Sequence, residues 1–151
     1  MRAERWWQEA SVIDDLITIP TAYEFIQATR LLRHVPDSFR AGYWANNFKF
    51  HSSLNLNFPV SEIETLKLDN EHIHITNLMV GLTGMQGALP YTYSHKIKYS
   101  SRQQKVETIN FLGLFNHKLT AQYVDASLTY HLPVRYEIEK ENDYLDILHA
   151  L

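Results

Sequence analysis

A ten-residue stretch rich in glycine, residues 81–90, divides this sequence into two regions with different hydrophobic periods. Before it, apolar and polar residues alternate, which is the period of a strand with one buried face. After it, apolar residues recur at the three- and four-residue spacing of helices. Two helical segments also precede the strand region. We therefore expect an α+β fold with N-terminal helices, a small antiparallel sheet of three or four strands, and long C-terminal helices.

The first forty residues predict two helices. Apolar residues recur at helical spacing over residues 4–17, where Trp6 and Trp7 are adjacent. Adjacent side chains point in different directions on a helix, so either this helix is buried on two sides or one ring is held for a partner. Farther along, Thr21 and Glu24 form a T-x-x-E capping box, which predicts that a second helix begins there.

The strand region contains three segments. The alternation is clearest over residues 48–58, which predicts one strand with an apolar face and a polar face. Residues 62–68 and 72–79 predict two further strands, which a turn joins into a hairpin. The alternation slips at Thr65 and Leu66, so we expect a β-bulge at that point.

Helical signals dominate the sequence after residue 90. Pro90 suits the first turn of a helix, and Ser101 with Gln104 forms a second capping box that opens a long helix to about residue 130. Section 109–115 of the long helix is apolar nearly all round, which is typical of a buried helix or of one enclosed by partners. A last amphipathic helix has no stop signal. We therefore expect residues 1–151 to form a single scaffold region of a longer protein.

Composition and charge argue against several classes of protein. A chain of 151 residues fits one domain, and a net charge of −3 provides no positive field for nucleic acid or anionic lipid. Without cysteine there is no disulfide and no thiolate metal site. The sequence has neither the continuous apolar segment of a membrane span nor the apolar core of a signal peptide. We expect a cytoplasmic protein without direct membrane insertion.

The glycine stretch invites comparison with phosphate-binding loops. Gly81, Gly84 and Gly87 are spaced three residues apart, which matches neither the P-loop nor the dinucleotide fingerprint. No lysine or arginine lies between residues 80 and 93. We interpret the stretch as a structural loop whose glycines, followed by Pro90, allow a tight passage from sheet to helix. A small-molecule binding module is the alternative.

The histidines suggest a second alternative. His72 and His74 alternate along a predicted strand, so both face the same side, a spacing compatible with a zinc-dependent hydrolase. A catalytic zinc needs a third ligand, and although Glu62, Glu64 and Glu71 are near in sequence, nothing fixes their geometry. His117 lies in the long helix without a nucleophile in any recognisable motif. We therefore predict no catalytic residue, no metal ligand and no cofactor, and a protein that is not an enzyme.

Four segments taken together carry a family resemblance. They are FIQATRLL at 25–32, FKFHSSLNLNFPVSEI at 48–63, GLTGMQGALP at 81–90 and FLGLFNHKL at 111–119. In this order they resemble motifs of the TssG family (also called ImpH or VasB), baseplate subunits of bacterial type VI secretion systems. Three positions depart from the family pattern: Gly113 stands where aspartate is usual, Lys118 replaces an arginine, and His51 replaces an arginine or similar residue.

The resemblance implies a non-enzymatic structural role at the cytoplasmic side of the inner membrane. Members of the family join two copies of TssF into a wedge and hold TssK, while TssE and the sheath and tube complete the baseplate. Whole members are about twice as long, so the resemblance implies that this chain is the N-terminal portion, with mainly TssF contacts. Candidate partner-contact residues are Trp6, Trp7, Phe111, Leu114, Phe115 and His117.

Overall fold

The computed structural model describes residues 12–33, 44–69, 72–129, 131, 133 and 143–150, so Trp6 and Trp7 lie outside the described part of the chain. Its helices are α1 (Val12–Thr18), α2 (Phe25–Arg33), α3 (Tyr91–Tyr99), α4 (Arg102–Thr129) and α5 (Asp143–Ala150). Its strands are β1 (Phe48–Ser52), β2 (Ile63–Leu68) and β3 (Ile73–Asn77). The expected α+β class, with helices, a small sheet and a long helix in that order, is confirmed.

The three strands form one mixed sheet in the order β1-β3-β2. β2 and β3 pair antiparallel, as a hairpin must, and their register shifts between Ile63 and Thr65, which places the irregularity just before the predicted position at Thr65 and Leu66. β1 pairs with β3 in parallel, with Phe48 opposite Ile73, so the expectation of an antiparallel sheet is wrong for this strand. The connection 53–62 carries the chain from β1 to the far edge of the sheet, and the hairpin then returns β3 alongside β1.

β1 is shorter than its alternating sequence predicts. The strand ends at Ser52, and the predicted continuation to residue 58 is wrong. The Asn55 N–H donates to Ser53 Oγ at 2.9 Å, and the Asn57 N–H donates to Asn55 Oδ1 at 3.2 Å. Such local bonds offer the backbone an alternative to a sheet ladder. Phe58 is consequently 80% exposed instead of packing on the core.

The start of α2 also differs from its sequence signal. Thr21 lies in a 3-10 turn, Pro20–Ala22, which has no side-chain capping bond, and α2 begins four residues later at Phe25. The first N–H groups of a helix have no acceptor within the helix. Here the Phe25 N–H donates to Glu62 Oε2 at 2.7 Å. A carboxylate 37 residues farther along therefore stabilises the end that we expected the capping box to close.

The helices cover one face of the sheet. Phe50 on β1 contacts Phe25 on α2 edge to face, with ring centroids 5.7 Å apart. Around this pair lies an apolar cluster with contributions from α1, α2, α4 and all three strands, including Leu16, Leu32, Phe48, Ile63, Ile75 and Val124. The opposite face of the sheet is polar: Lys49 is exposed and His74 half-buried. The predicted division of the sheet into an apolar and a polar face is confirmed.

α4 is the predicted long helix, and its two halves have different surroundings. At its start the Gln104 N–H lies 3.5 Å from Ser101 Oγ, which is one of the two bonds of the predicted capping box. From Asn116 onward every turn buries a side chain, and the buried residues are Asn116, Thr120, Ala121, Val124 and Leu128. Before Asn116 none of its side chains is buried. Within the described residues, no helix combines the length and apolar character that a membrane span requires.

Candidate protein-interaction site

The glycine loop, residues 81–90, folds back on itself between β3 and α3. The Ala88 and Leu89 N–H groups donate to the carbonyl oxygens of Gly81 and Leu82 at 3.0 and 2.9 Å. The Gly84 N–H donates to Ser94 Oγ at 3.3 Å. Backbone N–H groups that donate within the protein are not directed at a ligand, so this geometry differs from that of a phosphate-binding loop.

Two glycines of the loop have geometries that other residues adopt with strain. Gly84 has φ +95°, and a Cβ added there would lie 2.8 Å from the carbonyl oxygen of Ser53. Gly81 has φ +148°, and a Cβ there would lie 2.5 Å from Ser52 Oγ. The loop therefore approaches the end of β1 closely. Pro90 is its last residue and the N-cap residue of α3, one position before the predicted first turn.

Hydrogen bonds join the glycine loop to α4 and to β1. The Leu82 N–H donates to Asn116 Oδ1 at 2.8 Å, and Asn116 is the first buried residue of α4. The Ser52 hydroxyl donates to the Thr83 carbonyl at 2.8 Å, and the Thr83 hydroxyl donates to the Ser53 carbonyl at 3.2 Å. The second, third and fourth motif segments thus meet at one junction, while Glu62 joins the second to the first.

His117 contributes to this junction from α4. The Phe50 N–H donates to His117 Nδ1 at 3.5 Å, and the two rings stack with centroids 5.8 Å apart. Because Nδ1 accepts this bond, the neutral ring carries its proton on Nε2. Burial, with smaller contributions from Lys118 and Lys49, lowers the pKa of His117. The candidate contact residue His117 is therefore half-buried and bonded within the chain.

His74 has a different neighbour from the one that the sequence suggested. Its Nδ1 lies 3.2 Å from His51 Nε2, and the two rings are within 5° of parallel. The His72 ring is farther away, with its centroid 6.5 Å from that of His74. The sequence could not reveal the closer pair, because it follows from the parallel pairing of β1 with β3. Among the residues that the structure describes, no group of three or more potential ligands could hold a metal ion.

The N-terminal half of α4 carries an exposed apolar surface. Phe111, Phe115 and Leu119, at four-residue spacing, form a ridge that we call the α4 stripe, and their exposed fractions are 61%, 50% and 44%. The rings of Phe111 and Phe115 meet edge to face at 5.4 Å. Leu114, on the neighbouring side of the helix, is 72% exposed. When helices pack on each other, ridges of side chains at four-residue spacing fit into the grooves of the facing helix.

Fold and surface together define an α+β protein whose long helix is half inside its own core and half uncovered. Such an arrangement is typical of a subunit that contacts other proteins. A family model described as type VI secretion, TssG, matches residues 19–151. The chain therefore belongs to the TssG family, whose members are baseplate subunits of type VI secretion systems. Neither a curated protein nor a solved structure matches the sequence at a significant level.

Proposed function

We propose that this chain is a non-enzymatic structural subunit of the type VI secretion baseplate, with residues 1–151 acting as one scaffold region. In this role it joins two copies of TssF into a wedge and helps to connect the wedge to TssK, TssE and the sheath and tube. It works at the cytoplasmic side of the inner membrane without entering it. The family match over residues 19–151 is the observation that carries this proposal.

The exposed half of α4 supports a role in assembly. A large apolar side chain contributes on the order of 1.5–3 kcal/mol when it moves from water into a fully buried site. Phe111, Leu114 and Phe115 are each at least half exposed. Part of that free energy is therefore still available to an interface. We propose that a helix of TssF packs on the α4 stripe.

The glycine loop supports the scaffold role in a different way. Its bonds to Asn116, Ser52 and Ser94 hold α4, β1 and α3 around one connection. We propose that Gly81, Gly84, Gly87 and Pro90 serve this structural purpose and take no part in ligand binding. A rigid junction of this kind would fix the direction in which the uncovered half of α4 projects.

Co-purification with TssF from the same organism tests the proposal. We expect the wild-type chain to co-purify with TssF and the double variant Phe111→Glu/Phe115→Glu to lose at least about 90% of that yield, because two charges would enter an apolar contact. Val106→Glu is the matched control. Val106 is 51% exposed and lies on the same helix, but about 140° around the axis from Phe111.

Circular dichroism of all three proteins checks that each variant still folds. A wild-type chain that is monodisperse alone and does not bind TssF would contradict the assembly role. A double variant that retains TssF as well as the control does would instead locate the contact elsewhere, and the stripe proposal would be wrong.

A further inference from the structure

A cleft of about 430 Å³ lies between β1 and the N-terminal half of α4, and we call it the β1–α4 cleft. Its apolar lining comes from both elements: Phe48 and Phe50 on the strand, and Ile109 and Leu114 on the helix. The cleft lies beside the α4 stripe and not on it, since Phe111, Phe115 and Leu119 do not line it. It is therefore a second surface, with its own chemistry.

The polar lining of the cleft contains basic side chains and no acidic one. Lys49, His51, His72 and His117 all border it, and none of the residues around it is an aspartate or glutamate. The whole chain has a net charge of −3, so a cleft lined only by basic and neutral groups runs against the overall balance. A carboxylate would find complementary charge here, and a cationic group would not.

Gly113 keeps one wall of the cleft open. It lies in the middle of α4, where a glycine weakens a helix by up to about 1 kcal/mol relative to alanine. No packing explains the glycine, because an added Cβ would have no atom within 4 Å. A side chain at this position would project into free space at the wall of the cleft.

We propose that the β1–α4 cleft binds a segment of a protein partner in which an acidic side chain stands beside an apolar one. The acidic group lies near Lys49, while the apolar group packs against Ile109 and Leu114. Charge complementarity and the mixed lining commit the site to this chemistry. The cleft is separate from the α4 stripe, so its occupant need not be the protein that the stripe binds.

Protonation of the histidines would couple binding to pH. Burial lowers the pKa of both His51 and His117. His74 on β3 and Lys49 on β1 also disfavour a charge on His51. Asp69, beyond the end of β2, raises the pKa of His74, whereas Lys67 on β2 lowers it. A bound carboxylate favours the imidazolium forms, so the complex takes up protons and affinity rises as pH falls through the histidine range.

A pair of labelled peptides tests the charge requirement directly. One alternates phenylalanine with glutamate, and its twin replaces every glutamate with glutamine. We expect fluorescence anisotropy with the full chain at pH 7.5 to show saturable binding of the glutamate peptide, about tenfold tighter than its twin. Lowering the pH to 6 should increase the affinity for the glutamate peptide only. Equal affinities for the two peptides, or no saturation up to about 1 mM, would overturn the proposal.

Substitution of Gly113 locates the binding within the molecule. Gly113→Asp would place a carboxylate at the cleft wall, and Gly113→Asn is its uncharged match in shape. Because an added Cβ meets no atom within 4 Å, both variants should fold. We expect Gly113→Asp to lower the affinity for the glutamate peptide by at least about fivefold. Gly113→Asn should leave that affinity within about twofold of wild type. Equal effects of the two variants would refute a charge-selective cleft.

A short single-stranded oligonucleotide serves as the competitor that distinguishes carboxylate from phosphate. We expect it not to displace the glutamate peptide at equal concentration, because the cleft offers one lysine and apolar walls and no basic track along a backbone. Displacement at equal or lower concentration would show that the cleft recognises phosphate, and the assignment to an acidic protein segment would be wrong.

Discussion

The two halves of α4 belong to one unbroken helix but have opposite relations to the rest of the molecule. The C-terminal half buries Asn116, Val124 and Leu128 against the sheet and α2. The N-terminal half exposes Phe111 and Phe115 to solvent although its sequence is at least as apolar. The difference shows that hydrophobicity alone does not decide burial. What matters is how closely another element packs opposite: among the described residues, the sheet and α2 pack tightly on the C-terminal half.

The largest expected effect would come from a charge in the covered half. Val124 is fully buried in the apolar cluster, so Val124→Asp places a carboxylate out of contact with solvent among apolar side chains. We expect a loss of at least about 4 kcal/mol in the free energy of unfolding, measured by urea denaturation. Phe111→Asp, in the uncovered half, should cost less than about 1 kcal/mol. Similar losses of unfolding free energy at the two sites would contradict the difference in burial between the two halves of α4.

The next largest effect concerns the junction that holds the covered half in place. Gly84→Val introduces a branched side chain at φ +95° and brings its Cβ to 2.8 Å from the Ser53 carbonyl. We expect a destabilisation of roughly 2–4 kcal/mol, read from the same denaturation curves. Gly113→Val, in the uncovered half, is the control with open space around it, and it should remain within about 1 kcal/mol of wild type.

Removal of one hydrogen bond at the boundary between the two halves of α4 should have an intermediate effect on stability. Asn116 Oδ1 accepts the Leu82 N–H at 2.8 Å and is buried. Asn116→Ala leaves that N–H without its acceptor, which costs about 1–3 kcal/mol. Amide exchange at Leu82 should accelerate accordingly. Unchanged exchange in a folded variant would show that Asn116 does not anchor the glycine loop.

The smallest effect is a dependence on pH. Burial lowers the pKa values of His51, His74 and His117 below the ordinary histidine value of 6.5. Between that value and the lowered ones, the unfolded chain binds more protons than the folded chain. Stability is therefore lost as pH falls below about 6.5. His117→Gln should reduce the slope of unfolding free energy against pH, measured from 7.5 to 5.5, and an unchanged slope would contradict the role of burial.

Local sequence rules predicted those parts of the fold that local chemistry determines. The hairpin of β2 and β3, its bulge and the 28-residue length of α4 follow from periodicity, turn residues and the Ser101 cap. The direction of β1 does not, because pairing in parallel depends on the path of the connection 53–62. The predicted capping box at Thr21 does not begin α2, and the Phe25 N–H bonds to Glu62 instead. A contact between residues so far apart in sequence cannot be read from a local pattern.

The candidate sites divide in the same manner. Periodicity marked the apolar section of α4, but both a buried and a partner-bound helix fit it, and only the fold shows that Phe111, Leu114 and Phe115 are exposed. The pairing of His51 with His74 and the β1–α4 cleft arise from strand order and helix placement. Their residues are 23 and about 60 positions apart in sequence, respectively, so no spacing motif could have joined them.

The bond from the Phe25 N–H to the Glu62 carboxylate also has a consequence for the time course of folding. α2 reaches its full stability only after the chain has closed the 37 residues that separate the two groups. Closing such a loop costs entropy before any contact compensates for it. The early nucleus should then contain the local β2–β3 hairpin and α4, with the first turn of α2 ordering late. Pulse-labelled hydrogen exchange would show the Phe25 amide gaining protection after the amides of β2 and β3.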